Sequence, residues 1–166
     1  MVPIALDPSR LRLAVAGNGA QAERRAALLR AAGAEPTILP GEAGELPPLD
    51  VLWIADLAPD EAARLAARAR ALRILVNVED QPALCDFHNT AELRRGDLLI
   101  SVSTNGQSPG MAGAIRDRIG SMFGPEWEDR VAELGARRRA WQAEGRSLRE
   151  LALLSADALA QSGWLP

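Results

Sequence analysis

The stretch LRLAVAGNGAQAERRAALLRAAG, residues 11–33, decides the fold of this chain. Residues 11–16 are a short apolar run that predicts a buried strand, and residues 20–32 have the Ala, Leu and Arg content of a helix that ends at Gly33. Between them lies the glycine turn, which consists of Gly17, Asn18 and Gly19. A strand, a glycine-rich turn and a helix in this order are typical of the first unit of a doubly wound α/β sheet.

Alternating strands and helices continue this pattern along the chain. Further apolar runs that predict strands occur at residues 37–39, 51–55, 74–78 and 97–103. Residues 59–71 predict a helix with a proline at its first position, whereas residues 40–49, rich in Pro, Gly and Glu, predict a loop. The sequence therefore predicts an α/β fold with a Rossmann-like, mostly parallel sheet.

The last third of the chain is predicted to be helical. Ser108 and Pro109 supply the N-cap and first residue of a helix that extends to about Phe123. Two more helices are predicted at residues 127–144 and 148–161, and Ser147 with Glu150 forms the capping box of the second.

These C-terminal helices lie outside a small sheet domain but carry large apolar side chains: Trp127, Trp141, Trp164, Leu148, Leu151 and Leu154. Such side chains need a surface to pack against, which a second copy of the chain supplies in symmetric oligomers. We therefore expect a homodimer. Residues 1–106 would form the Rossmann-like domain and residues 107–166 the helical dimerisation and C-terminal region.

The composition limits the classes of partner. The chain has 48% hydrophobic and 25% charged residues and a net charge of -3, so nucleic acid and anionic lipid are not expected partners. No apolar run approaches the ~20 residues that cross a bilayer, and the N-terminus lacks the pattern of a signal peptide. We therefore expect a cytoplasmic protein that does not bind membranes.

The pattern Gly17-x-Gly19-x-x-Ala22 follows a strand and opens a helix, which is the context of a dinucleotide site. Gly17 would permit the tight turn, and Gly19 would let the backbone approach a pyrophosphate. The alternative is a tight turn that binds nothing. Leu39 and Pro40 stand where an acid usually contacts the ribose, so the choice between NAD and NADP stays open.

Residues 77–89 leave the carboxyl end of a predicted central strand, where ligands bind in open α/β sheets. The segment contains Asp80, Asp86, Cys85 and His88, and carboxylate and imidazole groups suit proton transfer or contact with iron(II). Each residue also has a structural explanation: a turn for Asp80, a solvated acid for Asp86, a small buried group for Cys85 and a hydrogen-bonded loop residue for His88. Position favours a functional role for Asp80.

A polar loop at residues 103–109 precedes the helix that begins at Pro109. Backbone N–H groups and hydroxyls in such a loop suit a carboxylate or a phosphate. Helix capping by Ser108 is compatible with this role. Arg94 and Arg95 stand nearby in sequence, and Arg94 would pair with substrate carboxylates.

Three segments together resemble the N-terminal module of siroheme synthase and its stand-alone relatives. They are AVAGNGAQAERRAALLRAAGAEPTIL (14–39), NVEDQPALCDFHNTAELRRGDLLISVST (77–104) and NGQSPGMAGAIRDRIG (105–120). The resemblance covers most of the chain, and the second and third segments are more specific than the glycine turn.

The resemblance implies NAD-dependent oxidation of precorrin-2 to sirohydrochlorin and insertion of iron(II), as a substrate metal, into that macrocycle. It places the general base on Asp80 and, in addition to Gly17 and Gly19 of the glycine turn, cofactor contacts on Ala20, Gln21, Gly41 and Glu42. The tetrapyrrole contacts are expected from Arg94, Thr104, Asn105, Ser108 and His88.

The chain departs from the family in its glycine turn, which reads GNG rather than the usual GGG, and in two further places. Leu57, Ala58 and Pro59 replace the usual Thr-Asp-Asp, which removes polar groups expected near the cofactor, and residues 40–49 are too short for the usual helix and third strand. We therefore expect a sheet one strand smaller than usual. Two alternatives remain: a chelatase or tetrapyrrole-binding protein without dehydrogenase activity, and a non-catalytic Rossmann-type sensing dimer.

Overall fold

The computed structural model describes residues 2–41 and 44–165. Contacts divide the chain into two compact units, Met1–Asn89 and Thr90–Pro166. This division lies before the boundary suggested after residue 106, because two strands at residues 91–102 pack against the helices that follow them.

Strands and helices alternate in the first unit, in the order β1 (Leu13–Ala16), α1 (Ala20–Ala31), β2 (Thr37–Leu39), β3 (Val51–Ile54), α2 (Pro59–Ala71) and β4 (Leu75–Val78). The strands form one parallel sheet in the order β2-β1-β3-β4. The predicted Rossmann-like α/β fold is thus confirmed. The sheet has four strands within the described residues, one fewer than the five predicted strands.

The central strands β1 and β3 are buried along their whole length, which explains their continuous apolar sequences. One core cluster joins Leu52 and Val76 of the sheet to Leu65 of α2. A second cluster joins Val15 and Trp53 to the small alanines of α1. The two helices therefore cover opposite faces of the sheet, because successive side chains along a strand point to opposite sides.

The free edge of β4 is covered by a segment of the chain at residues 85–87. Asp86 N–H donates to the Val76 carbonyl oxygen at 2.8 Å, and Val76 N–H donates to Asp86 Oδ2 at 2.9 Å. Val78 N–H reaches Cys85 Sγ at 3.2 Å. An edge strand presents unpaired backbone groups, and this segment satisfies them without a regular strand.

The second unit contains β5 (Ala91–Arg95), β6 (Leu98–Val102), α3 (Pro109–Gly120), α4 (Trp127–Ala143) and α5 (Leu148–Ser162). Ser108 caps α3, its Oγ accepting from Met111 N–H at 3.2 Å. Ser147 and Glu150 form the predicted capping box of α5. The helix α3 ends at Gly120, three residues before the predicted end at Phe123.

One strand prediction was wrong. Residues 97–103 were expected to form the last strand of the parallel sheet, but β6 pairs antiparallel with β5 in a separate hairpin. Gly96 and Asp97 form the two-residue connection, and Gly96 has a φ of +53°. A Gly-Asp pair between two short strands is a hairpin pattern, so this hairpin could have been predicted from the sequence.

Some of the aromatic side chains that suggested a dimer are accommodated inside the second unit. Trp127 is buried, its ring centroid lies 4.8 Å from that of Phe123, and the Arg130 guanidinium lies over Trp127 and Trp164. Among the described residues, no helix has both the length and the hydropathy that a membrane span requires.

Candidate functional site

Packing between β1 and β3 forces a glycine at position 17. Gly17 has a φ of +132°, and a Cβ there would lie 2.0 Å from the carbonyl oxygen of Ala55. Its N–H donates to the Leu39 carbonyl oxygen at 3.0 Å. The need for glycine therefore arises in the fold itself, whether or not a nucleotide binds.

The space beside Gly19 is filled by the side chain of Asp56. A Cβ on Gly19 would lie 2.5 Å from Asp56 Cγ, and Asp56 Oδ2 accepts from Ala22 N–H at 2.8 Å. Asp56 follows β3 and has a φ of +57°, a left-handed conformation that aspartate adopts more readily than most residues. Sequence reasoning missed this residue, although an acid directly after the predicted strand 51–55 was visible in the sequence.

The other expected cofactor residues lie around the same edge of the sheet. Ala20 and Gln21 are the first two residues of α1 and are exposed. Gly41 follows β2, and a Cβ there would lie 2.2 Å from Cδ2 of Leu57. Glu42 lies outside the described residues.

Asp80 is an exposed residue two positions beyond the end of β4, with a φ of +58°. The turn that holds it is closed by Gln81 N–H, which donates to the Val78 carbonyl oxygen at 3.3 Å. No hydrogen bond or ion pair of the Asp80 side chain occurs within residues 2–41 and 44–165. Its carboxylate is therefore available to a ligand.

The residue before Asp80 is held firmly. Glu79 N–H donates to the Ile54 carbonyl oxygen at 2.9 Å, and Glu79 Oε2 accepts from Arg25 Nη2 of α1 at 3.1 Å. This ion pair is partly buried, so it is less screened by solvent than a surface pair. The Asp80 turn is thereby tied to both β3 and α1.

The other chemically reactive residues of the 77–89 segment have structural roles or half-buried positions. Asp86 bonds to Val76 N–H and also to Arg70 Nε at 2.7 Å, so it anchors residues 85–87, the edge segment that covers β4. The Cys85 thiol contacts Val78 and Gln81. His88 is half-buried, and its side chain makes no hydrogen bond within the part of the chain that the structure describes.

A polar network beneath this segment was missed by sequence reasoning. Asn77 is buried; its Nδ2 donates to the Phe87 carbonyl oxygen, and its Oδ1 accepts from Asn89 Nδ2, both at 2.9 Å. Asn89 Oδ1 in turn accepts from Trp53 Nε1 at 3.0 Å. The network fixes the end of the segment, but nothing in the sequence indicates that Asn77, within the predicted strand 74–78, and Asn89 bond to each other.

The expected tetrapyrrole contacts other than His88 lie in the second unit. Thr104 and Ser108 bond to each other, with Thr104 Oγ1 accepting from Ser108 N–H at 3.1 Å and donating to its carbonyl oxygen at 2.9 Å. Asn105 is exposed with a φ of +55°. Arg94 lies on β5 and pairs with Glu92 at 3.2 Å.

The residues around the glycine turn fit a dinucleotide in part. The first N–H groups of α1, at Ala20 and Gln21, have no partner within the helix, as an anion site requires. The third donor, Ala22 N–H, is already bonded to the Asp56 carboxylate. Within the described residues, no three His, Cys, Asp or Glu side chains are grouped to hold a metal ion.

Two family models match the chain. Residues 42–91 match the family described as putative NAD(P)-binding, and residues 95–122 match the central region of sirohaem biosynthesis proteins. Curated siroheme synthases of Escherichia coli, including those of strains K12 and ATCC 8739, are 31% identical to the chain over 164 residues. The resemblance to the siroheme synthase family is confirmed.

These siroheme synthase alignments cover 77% of the chain and 36% of each relative, so the chain spans about a third of the length of the curated relatives it matches. Among solved structures, SirC, a precorrin-2 dehydrogenase, matches with a TM-score of 0.69 and 18% identity, covering 95% of this chain and 88% of that chain. This likeness shows a shared fold. The NAD(P)-binding match includes Asp56 and Asp80, whereas the glycine turn lies outside both matched ranges.

Proposed function

We propose that the chain is a precorrin-2 dehydrogenase of siroheme biosynthesis, oxidising precorrin-2 to sirohydrochlorin with NAD, and that Asp80 is its general base. One observation carries the proposal: Asp80 is an exposed carboxylate without a described partner, on a well-anchored turn at the carboxyl edge of the sheet. Ligands bind at this edge in open α/β folds. The similarity to siroheme synthases supplies the substrate class.

The reaction removes a hydride from one atom of the macrocycle and a proton from another. NAD supplies the hydride acceptor when it is bound. Asp80 accepts the carbon-bound proton, a role that requires a carboxylate within hydrogen-bond reach of the substrate. Arg94, Thr104, Asn105, Ser108 and His88 are proposed to contact the tetrapyrrole and its carboxylates, whereas Gly17, Gly19, Ala20, Gln21, Gly41 and Glu42 are proposed to hold the dinucleotide.

The test is anaerobic oxidation of precorrin-2, followed by absorbance with and without NAD. Asp80→Asn keeps the size and left-handed backbone preference of the residue but removes the base, so we expect kcat to fall by about 10² or more. Asp60→Asn, an exposed acid on α2, is the matched control and should retain the wild-type rate. A wild-type rate in Asp80→Asn would refute the assignment of the base.

A second candidate is a chelatase or tetrapyrrole-binding protein without dehydrogenase activity. The side chains of Asp56 and Leu57 favour it, because they occupy the space beside Gly19 and Gly41, whereas the Asp80 side chain has no partner among the described residues. Here Asp80 would accept pyrrole N–H protons as iron(II) enters. Spectral change on adding iron(II) or cobalt(II) to sirohydrochlorin, without NAD, tests this reaction. No spectral change in either assay would leave the non-catalytic sensing dimer.

We also propose that the protein is a homodimer whose interface includes α3. Met111, Ile115 and Met122, on α3 and just after it, are exposed apolar side chains, and clusters of such residues commonly mark protein interfaces. Light scattering at micromolar concentration should give twice the chain mass. Ile115→Glu should shift the mass toward the monomer, whereas a monomeric wild type would contradict the proposal.

A further inference from the structure

We infer that Asp56 is an internal competitor of the NAD pyrophosphate, so that the chain's own carboxylate limits its affinity for the cofactor. The inference rests on the proposed function, since it concerns NAD at the glycine turn. It goes beyond that function by giving a role to Asp56, which belongs to neither the expected cofactor set nor the expected substrate set.

The position of the Asp56 carboxylate is the first observation. Its Oδ2 accepts from Ala22 N–H of the first turn of α1 at 2.8 Å, and its side chain occupies the space that Gly19 leaves by lacking a Cβ. A glycine at this place ordinarily lets a pyrophosphate approach the backbone. Here a carboxylate, also an anion and also a hydrogen-bond acceptor, takes that place.

The neighbouring residue is the second observation. Leu57 lies against Gly41 so closely that a Cβ on Gly41 would be 2.2 Å from Leu57 Cδ2. Gly41 follows β2 and Leu57 follows β3, and β1 lies between these two strands in the sheet. The contact between Leu57 and Gly41 therefore joins the chain segments that follow the two neighbours of β1.

The negative charge of Asp56 should weaken the binding of NAD. The start of a helix attracts an anion, and this attraction is already used by Asp56 in the free protein. A pyrophosphate that enters must displace the carboxylate or accept its repulsion at short range. Removing the charge while keeping an acceptor for Ala22 N–H should therefore strengthen NAD binding.

Asp56→Asn makes this change. Asparagine tolerates the left-handed backbone at position 56, and its side-chain oxygen still serves as a cap for α1. Glu23→Gln is the matched control, because it removes one negative charge from the same first turn of α1, at an exposed position whose side chain is not among the atoms nearest the Cβ position of Gly19. Calorimetric titration of each full-length protein with NAD at fixed salt measures Kd without any substrate.

We expect Asp56→Asn to bind NAD about five- to thirty-fold more tightly than the wild type, and Glu23→Gln to change Kd less than twofold. Unchanged or weaker binding by Asp56→Asn would overturn the inference, and weaker binding would make Asp56 a ligand of the cofactor instead. Failure of both proteins to bind NAD at millimolar concentration would overturn it as well. Thermal unfolding of each variant checks that it is folded.

The outcome is separable from that of the proposed function. If Asp56→Asn binds NAD more tightly but neither protein oxidises precorrin-2, the inference stands and the dehydrogenase proposal fails. If the wild type oxidises precorrin-2 but Asp56→Asn gains no affinity, the dehydrogenase proposal stands and the inference fails.

Discussion

Asp56 and Asp80 occupy equivalent positions in the sheet but differ in their contacts. Ile54 and Val78 are paired in register at the ends of β3 and β4, and each acid comes two residues later in a left-handed conformation. Asp56 bonds to the start of α1 and lies against Gly19, whereas the Asp80 side chain has no partner among the described residues. At the same edge of the sheet, the aspartate after β3 therefore has a structural role, whereas the aspartate after β4 is available to a ligand.

The difference teaches that strand-end position alone does not identify a functional acid. What distinguishes Asp80 is its loop, in which Asp86, the Phe87 carbonyl and Cys85 are already bonded to Val76, Asn77 and Val78. A carboxylate left free in such a loop is a stronger candidate than one that completes a helix cap. Four experiments test this distinction between residues that hold the sheet together and residues that are free to bind a ligand.

The largest expected effect is on the glycine turn. Gly17→Ala places a methyl group 2.0 Å from the Ala55 carbonyl oxygen at a φ of +132°, so we expect the free energy of unfolding to fall by about 3 kcal/mol or more. Gly33→Ala is the control, since Gly33 also has a positive φ but no atom within 4 Å of its Cβ position; a loss of about 1 kcal/mol is expected there. Urea unfolding without NAD measures both. Equal losses would show that the turn is not forced by packing.

The next effect concerns the anchor of the edge segment. Asp86→Asn leaves one of two donors, Val76 N–H or the Arg70 guanidinium, without a carboxylate oxygen, so we expect a loss of about 1–2 kcal/mol. Asp80→Asn breaks no described contact and should lie within about 0.5 kcal/mol of the wild type. Chemical denaturation of the pair checks this, and a larger loss for Asp80→Asn would mean that Asp80 is structural.

A smaller effect compares the two strand-end acids directly. Asp56→Ala and Asp80→Ala impose the same cost of alanine at a left-handed φ, but only the first removes a helix cap. Asp56→Ala should therefore be less stable than Asp80→Ala by about 1 kcal/mol. Thermal or urea unfolding of both variants gives the difference. A value near zero would remove the structural distinction between them.

The smallest effect is a pH dependence of stability that arises at the amino ends of the strands, where Arg12 and Asp50 precede β1 and β3. Hydrogen bonds from the Arg12 side chain and then its backbone N–H lower the pKa of Asp50 from 3.8 to about 2. Because the folded pKa lies below the unfolded one, this stabilisation is present above about pH 4 and is lost as the pH falls toward 2. Asp50→Asn should flatten that part of the stability profile, and an unchanged profile would contradict the assignment.

Much of the first unit could be predicted because the apolar pattern of each element agrees with the residues that begin and end it. The helix Pro59–Ala71 begins at a proline with two acids in its first turn, and its predicted bounds match the observed ones. In the second unit, the capping box of Ser147 and Glu150 could be predicted for the same reason, because its two residues are three positions apart. Such features depend on residues within a few positions of one another, which a sequence displays directly.

The remaining features depend on which strands become neighbours. An apolar run such as 97–103 suits a parallel or an antiparallel strand, and only the pairing with Ala91–Arg95 decides between them. The contact of Asp56 with Ala22 spans 34 residues, and that of Asn89 with Trp53 spans 36. Neither contact has a periodic pattern, so both emerge only once the sheet is assembled.

The hydrogen bond between Trp53 and Asn89 gives the first unit a built-in optical reporter. Trp53 is the one tryptophan before residue 90 in the sequence, and its indole also lies edge-on to Phe87 at 5.3 Å. Rearrangement of the segment that follows Asp80 would alter the surroundings of this indole. In a variant that lacks Trp127, Trp141 and Trp164, the emission wavelength of the remaining fluorophore would follow that rearrangement without any added dye.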